Sequence, residues 1–301
     1  MTTRPRILCL GAMLWDLIGR SPAPLLPGAD MPGRITRQPG GVALNVALAL
    51  ARQGLTPAML SAVGRDAPGE ALVAEVGRRG VETRWLWRHG GLATDSYLAI
   101  ESPDGLVAAI ADARALETAG TAILAPLRDG RLGDPARPWR GTLVLDGNLT
   151  EPVLAEITRD PCLAGADLRI VPASPDKAAR LRMLIDHPRA IFHLNRAEAE
   201  ALAGRSLPDA ARAAEAVVAL GARRVLVTDG ARPAADAAQG APTLADTPPP
   251  VAALRVTGAG DAFLAAHLAA ESRGAGRAEA LTQALRAASA HVSGKDQPCI
   301  P

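Results

Sequence analysis

Between residues 142 and 228 the chain alternates short apolar runs with segments of helix length, and this rhythm constrains the fold more than any other feature. Strands are expected at 142–146, 168–171, 190–194 and 223–228, with helices at 151–159, 174–185, 196–203 and 209–220. Continuous apolar strands joined by helices specify a parallel sheet that is covered on both faces. The expected fold class is therefore α/β. Polar residues gather just after the strand ends: Asp146 with Asn148, Ser174 with Lys177, Asn195 with Glu198, and Thr228 with Asp229 and Gly230. Open α/β sheets form their ligand crevices along those carboxyl edges.

The N-terminal part reads less regularly. Residues 6–11 form a short apolar run closed by Gly11, which suits a buried first strand. Arg4 and Arg6 ahead of the apolar run 7–15 resemble a secretory signal, but Asp16 ends the run and no small-residue cleavage site follows. Asp16 is expected at the carboxyl end of that strand, as a ligand group or as a turn aspartate. Residues 21–40 are rich in Pro and Gly and leave the main sheet. Gly40 and Gly41 then open a helix expected over 42–53, with Asn45 one turn beyond Gly41. A polar Asn in a helix otherwise built of Ala, Val and Leu suggests a ligand contact. Further on, 58–63 is expected as a strand, 69–79 as a helix and 84–87 as a strand. The alternation in 94–101, the turn at Pro103-Asp104-Gly105 and the return over 106–111 signal a hairpin. With the earlier excursion it would form a small β lid, about 17–38 and 93–112. Thr94, Ser96 and Asp112 are its polar candidates, facing either ligand or solvent. Residues 231–250 are expected to be weakly structured, as short edge strands or a loop. Two helices, 261–273 and 278–293, would end the chain.

Composition removes several classes. Lys plus Arg number 33 and Asp plus Glu 31, a net of +2, so nothing points to nucleic acid or a membrane surface. Aromatics make up 2%, which leaves no stacking platform for single-stranded bases. Cys9, Cys162 and Cys299 are far apart and form no C-x-x-C pair, so neither a zinc site nor a disulfide framework is indicated, and a reducing, cytoplasmic setting fits. No run reaches the roughly 18 apolar residues of a membrane helix.

The stretch Val256-Thr257-Gly258-Ala259-Gly260-Asp261-Ala262-Phe263 carries the chemistry. Three small residues at a helix start let an anion approach unpaired backbone N–H groups, which the helix dipole also favours. An aspartate at such a site repels the anion and so calls for a reason. One is a base that takes a proton from a hydroxyl attacking a phosphoryl group. The other is an ordinary helix cap.

Three patterns stand in order: Gly40-Gly41 with Asn45, Asn195 with Glu198, and Gly258 through Asp261. Together they resemble the ribokinase-like (PfkB) family of carbohydrate and nucleoside kinases, and the resemblance covers essentially the whole chain. It implies a three-layer α/β/α domain over residues 1–301 with a mostly parallel sheet and the β lid inserted in it, and ATP and Mg²⁺ as co-substrates. By resemblance, Asp261 would be the catalytic base and Gly258, Ala259 and Gly260 the anion hole. Asp16, Gly40, Gly41 and Asn45 would hold the acceptor. Asn195, Thr228, Gly230, Thr257, Gly258 and Gly260 would meet ATP, and Glu198 with Asn195 would organise Mg²⁺ through water. Asn195 and Glu198 also fit a plain capping box.

A finer resemblance, to pseudouridine kinases, rests on Leu60–Gly64, Tyr97–Ile100 followed by Asp104-Gly105, Ala109–Asp112, Asp146–Leu149 and Val171–Lys177. It implies phosphorylation of the ribose 5′-hydroxyl of pseudouridine. Another furanose or nucleoside as acceptor remains open, as does a catalytically silent binder of sugars or nucleosides. A dinucleotide-dependent dehydrogenase is not supported, because no G-x-G-x-x-G follows the first strand. Two departures stand out. Where many family members carry an Asp that helps bind a monovalent cation, this chain has Arg255, and a guanidinium cannot ligate K⁺. Pro233 replaces a second glycine after Thr228, which removes an N–H from the expected nucleotide turn. A homodimer through the lid is expected by resemblance alone.

Overall fold

All four residues of the first strand, β1 (Ile7–Leu10), are buried, and its side chains alternate between two apolar clusters. Ile7 and Cys9 pack into one, Leu8 and Leu10 into the other. A strand buried on both faces needs a layer on each side, and the chain supplies both. The computed structural model describes residues 4–25, 28 and 30–295; Cys299 and residues 26, 27 and 29 of the expected lid segment lie outside the described residues.

In chain order, β2 (Leu14–Arg20) and β3 (Arg34–Gly40) leave the first sheet as an antiparallel pair. Helix α1 (Val42–Arg52) returns the chain to β4 (Pro57–Leu60), parallel to β1. Strand β5 (Ala62–Gly64) pairs with β6 (Trp87–His89), and α2 (Ala67–Arg78) lies between them in sequence. The hairpin β7 (Ser96–Ser102) and β8 (Gly105–Asp112) joins β2, so the second sheet runs β3-β2-β7-β8. Helix α3 (Arg114–Ala119) and a 3-10 segment (Gly120–Leu127), neither anticipated above, lead to β9 (Thr142–Asp146). Then follow α4 (Glu151–Arg159), β10 (Asp167–Val171), α5 (Pro175–Ala178), β11 (Ala190–Asn195), α6 (Arg196–Ala203), α7 (Ala210–Ala219) and β12 (Arg224–Asp229). The chain ends through β13 (Arg232–Ala238), β14 (Ala241–Asp246), α8 (Ala259–Ser272) and α9 (Arg277–Val292). The large sheet has eight strands in the order β14-β13-β12-β11-β10-β9-β1-β4, parallel except for β13 and β14 at one edge. Helices α1, α2 and α8 cover one face, and α4, α6 and α7 cover the other.

The structure corrects several sequence expectations. Asp16 does not end the first strand. It lies inside β2, on the small sheet. The run 58–63 is two strands, broken at the buried Ser61, whose hydroxyl donates to Gly11 O (2.5 Å) and turns the chain away from β1. The strand expected at 84–87 begins only at Trp87. Residues 174–185 do not form one α-helix: after α5 the chain winds as a 3-10 helix (Ala179–Leu184). Ala178, Leu181 and Leu184 are all fully buried. A spacing of three puts them on one line in a 3-10 helix, whereas an α-helix would splay them. In the Ala- and Pro-rich stretch 231–250 the edge-strand alternative holds: β13 and β14 pair antiparallel at the sheet edge, each pairing with one register irregularity, and 247–250 carry no regular element. Its composition carries no strand propensity; pairing with β12 imposes the conformation. Pro233 lies in β13 opposite an irregularity between Val227 and Asp229, where a missing N–H breaks no ladder bond.

One buried carboxylate ties the site-bearing parts together. Asp146, fully buried at the end of β9, accepts from Ala12 N (2.9 Å), Ala43 N (3.0 Å), Asn148 N (2.9 Å) and Asn148 Nδ2 (3.1 Å). These donors lie after β1, at the start of α1 and after β9. We expect Asp146→Ala to cost about 3 kcal/mol, since it leaves buried N–H groups without an acceptor. Urea denaturation at pH 7 measures it, and a loss below about 0.5 kcal/mol would show that the hub carries no such load.

Candidate active site

Helix α8 begins at a left-handed residue. Gly258 has φ 87°, and a Cβ there would press on the His291 ring. The turn this permits brings Ala259 N back to Val256 O (3.1 Å). The Ala259 N–H is therefore spent. Among the described residues, the N–H groups of Gly260 and Asp261 make no backbone hydrogen bond, and Gly260 is exposed. This helix start therefore leaves three N–H groups without a backbone partner among the described residues, those of Gly258, Gly260 and Asp261.

Asp261 sits in the first turn of α8 and is 8% exposed. Burial is the main cause that lifts its carboxyl to about 7; the neighbouring Asn45 side chain opposes the rise, and the fields of Asp146, Glu198 and Asp16 add to it. Those fields also show which residues converge. Asp261 from α8 lies beside Asn45 from α1 and within electrostatic reach of Asp16 from β2, Glu198 from α6 and the fully buried Asp146 from β9. Asp16 is itself pushed up to about 6 by burial. It fits because its diagonal neighbour on β3, in register with Leu14, is glycine: a Cβ on Gly40 would run into the Asp16 carboxyl. A Cβ on Gly41, the N-cap of α1 with φ 99°, would strike the Ala12 carbonyl.

Asn195 and Glu198 form a complete capping box on α6: Glu198 N donates to Asn195 Oδ1 (2.9 Å), and Asn195 N donates to Glu198 Oε2 (2.8 Å). Burial raises the Glu198 carboxyl, and the Asn195 backbone bond opposes that. The box accounts for one carboxylate oxygen and leaves Glu198 among the crevice acids. Among the described residues no group of three or more His, Cys, Asp or Glu could hold a metal alone. The residues fit Mg²⁺ only in its usual mode, with one or two carboxylates completed by waters and substrate phosphates. Burial raises Asp261 and Asp16, and a divalent ion held near these carboxylates would favour their ionised forms.

Other expected residues are placed differently. Thr94 donates both its N–H (2.9 Å) and its hydroxyl to Asp66, which also caps α2. Ser96 and Asp112 lie in register with Trp15, so they share its face of the small sheet and not that of Asp16. Arg114 binds Asp112 through Nε (2.8 Å) and Nη2 (2.7 Å) and holds its carboxyl below the usual range. Gln38, which no sequence pattern marked, and Tyr97 flank Asp16 on its own face. Thr228 donates to Leu194 O (3.4 Å), and Gly230 turns the chain into β13 with φ 62°. Thr257 is held by its carbonyl: His291 Nε2 lies 2.9 Å away. Arg255 donates through Nε to His291 O (3.0 Å) and reaches His291 Nδ1 (3.3 Å). A guanidinium only donates, so Nδ1 accepts and Nε2 carries the proton given to Thr257 O. Arg255 therefore sets the tautomer that pins the loop before Gly258.

Comparison with known proteins identifies the family and the fold. The pattern described as pfkB family carbohydrate kinase matches residues 4–297. The chain is 28% identical over 269 residues to the pseudouridine kinase of Escherichia coli, covering 88% of this chain and 83% of that one. It superposes on a carbohydrate kinase from Agrobacterium tumefaciens with TM-score 0.79 and 29% identity, covering 97% and 94% of the two chains. On the Arabidopsis thaliana ribokinase complexed with ribose and ATP, the TM-score is 0.80 at 20% identity, covering 98% and 96%. The fold is ribokinase-like.

The raised Asp261 makes a signed prediction. A carboxyl whose folded pKa lies above its unfolded value favours the fold while protonated, and that contribution is lost as pH rises from the usual carboxylate range through about 7. Asp261→Asn, which stays neutral, should therefore gain stability over the wild type as pH rises from about 5 to 8.5, by about 1–4 kcal/mol. Thermal melts across that range check it, and a pH-independent difference would contradict the burial of an ionising Asp261.

Proposed function

The chain belongs to the pfkB family of carbohydrate kinases, and from that premise we propose that it moves the γ-phosphoryl group of ATP to the ribose 5′-hydroxyl of pseudouridine. The phosphotransferase class, with an alcohol as acceptor, follows from the family. The finer assignment draws on the pseudouridine kinase relative and on the motifs quoted above. The observation that carries the reading is Asp261: a buried carboxylate in the first turn of α8, brought to about 7 with the Asn45 side chain beside it, next to the N–H groups of Gly260 and Asp261, which make no backbone hydrogen bond.

The roles follow from position. Asp16 and Asn45 hold the acceptor's hydroxyls, with Gly40 and Gly41 giving it close approach. Asp261 takes the proton of the 5′-hydroxyl as that oxygen forms its bond to the γ-phosphorus and the bond to the β-phosphate oxygen of ATP breaks, releasing ADP. The N–H groups of Gly260 and Asp261 meet charge that builds on the transferred group; such preorganised donors are where most of the acceleration of phosphoryl transfer arises. Glu198, with Asn195, would hold Mg²⁺ through water, and the ion would neutralise phosphate charge. Thr228, Gly230 and Thr257 line the nucleotide side. Residues 1–301 are read as a single kinase domain, with the small sheet as a lid over the acceptor. No helix among the described residues is long and apolar enough to cross a membrane, and a cytoplasmic setting is proposed.

The test is ATP turnover against pseudouridine, uridine, adenosine, ribose and fructose. Pseudouridine is expected as the preferred acceptor, and Asp261→Ala should lower its turnover about 10²–10⁴-fold. A different preferred acceptor would leave the kinase and remove the substrate, while no turnover with any acceptor would favour the silent binder. Replacing a large organic cation by K⁺ at constant ionic strength should leave the rate unchanged, because Arg255 occupies the position from which a carboxylate would serve K⁺. A several-fold rise would overturn that part.

The face of the small sheet opposite Asp16 exposes Ile35 (78%), Leu98, Ile100 and Ile110 (67%) in adjacent rows. A contiguous apolar face of this kind marks a docking surface, and we read it as the contact with a second copy of the chain. Sedimentation velocity is expected to show a dimer that Ile110→Asp converts to monomer; a wild-type monomer at micromolar concentration would reject it.

A further inference from the structure

The row of the small sheet that contains Asp16 reads, across the strands, Gln38, Asp16, Tyr97, Ala111. The next row outward on that face reads Thr36, Ile18, Ala99, Ala109. Side chains in one row share a face, as do alternate rows along each strand. The face is thus small and apolar at its centre, with Ile18, Ala99 and Ala109, and polar on the β3 side. Thr36 there is spent, its hydroxyl donating to Ile18 O (3.4 Å). Gln38 is exposed, and its amide makes no hydrogen bond among the described residues. Directly opposed side chains in an antiparallel pair stand about 5 Å apart at Cβ. Gln38 is therefore an unspent polar group next to the carboxylate that would hold the ribose.

We infer that Gln38 is the specificity-determining residue that reads the base, and that it does so at the N1–H and C2=O edge of pseudouridine. The inference rests on pseudouridine being the acceptor, as proposed above. With the ribose at Asp16, the ring lies flat over Ile18 and Ala99 and turns one edge to β3. The Gln38 amide carries an acceptor and a donor side by side. Its oxygen accepts from N1–H, and its NH₂ donates to C2=O. In pseudouridine the sugar is attached through C5, which leaves N1–H free. Uridine laid on the same ribose matches every polar edge atom except this one, since its C5–H falls where N1–H stood. A carbonyl oxygen facing that C–H loses its donor, and a site built around a hydrogen bond disfavours the analogue that lacks it. Tyr97, on the other side of Asp16, also has a hydroxyl with no hydrogen bond among the described residues, but a single oxygen cannot present an acceptor and a donor side by side to N1–H and C2=O as the amide does.

The experiment measures kcat and KM for pseudouridine, uridine and ribose in the wild type, in Gln38→Ala and in Gln38→Leu, whose volume is close to that of Gln. Both variants are expected to raise KM for pseudouridine about tenfold, leave kcat within about twofold, and leave uridine and ribose unchanged, so that the preference for pseudouridine over uridine falls by the same factor. In the wild type, 1-methylpseudouridine should behave like uridine. Unchanged preference in both variants overturns the assignment of Gln38 while leaving pseudouridine as substrate. A wild type without preference for pseudouridine overturns the substrate reading first, and this inference with it. Gln38 is exposed, so thermal melts should coincide with the wild type; a fall in kcat for all three acceptors together would mark a structural role and also overturn the assignment.

Discussion

A single buried carboxylate holds the crevice open. Asp146 lies in the interior with no cation beside it, and burial pushes its carboxyl up while four N–H donors from three places in the chain hold it down. A buried charge of this kind is tolerable only when its oxygens are fully used. Its donors come from the exit of β1, the entry of α1 and the exit of β9, so the same bonds that satisfy it fix where those elements meet. Asn45, one turn into α1, is placed by this hub. The network continues outward from it, since Lys177 Nζ donates a hydrogen bond to Asn148 Oδ1 (2.5 Å). The requirement to satisfy one carboxylate thereby positions groups from β1 to α5.

Helix α8 is secured at both ends, and this lets its first turn carry a reactive acid. At the start, Arg255 and His291 hold Thr257, and Gly258 turns the chain into the helix. At the far end, Glu271 is bound by Arg169 (2.8 Å) and Arg224 (2.5 Å), and Arg224 also pairs with the buried Asp236 (2.6 Å). His267 and His193 lie inside this network, and burial keeps both below the usual imidazole range and hence neutral at pH 7. The cost of burying Asp261 is thus met by packing and ion pairs elsewhere on the same helix. Asp261 itself is left unsatisfied by any cation, which is the state a proton acceptor needs.

The sequence exposed most of the large sheet because each parallel strand is a continuous apolar run bounded by turns, a local signal. It also exposed the late glycine motif, Asn45 and Asp16, because small or polar residues interrupt apolar stretches there. What it hid depends on partners distant in sequence. β13 is held by pairing with β12 and β14 and by Asp236 with its arginines, none of which an Ala-rich string reveals. The face on which Ser96 and Asp112 lie was fixed only by the register with Trp15, and a shift of one residue would have reversed it. Asp146 was visible as a polar residue after a strand, yet its role as an acceptor from three segments has no local mark. The Asn195–Glu198 box was legible in both its senses, and the structure realises the capping geometry without removing Glu198 from the crevice.

Placing Asp16 on β2 changes how the site is assembled. Had it ended β1, as the strand pattern suggested, acceptor and base would both have stood on the large sheet and its helices. Instead Asp16 belongs to the small sheet while Asp261 belongs to α8, and the two acids raise each other's cost of ionisation across the space between. An acceptor whose hydroxyls reach both relieves that repulsion, because it replaces a carboxylate facing a carboxylate by hydroxyls that can donate to each. Binding of such a molecule therefore favours the small sheet's approach to the crevice by the same contacts that orient the reacting oxygen. A sheet that only excluded water would not need an acid on its inner face. One that carries Asp16, with Gly40 cut back to make room for it, would in the proposed function both cover the acceptor and recognise it.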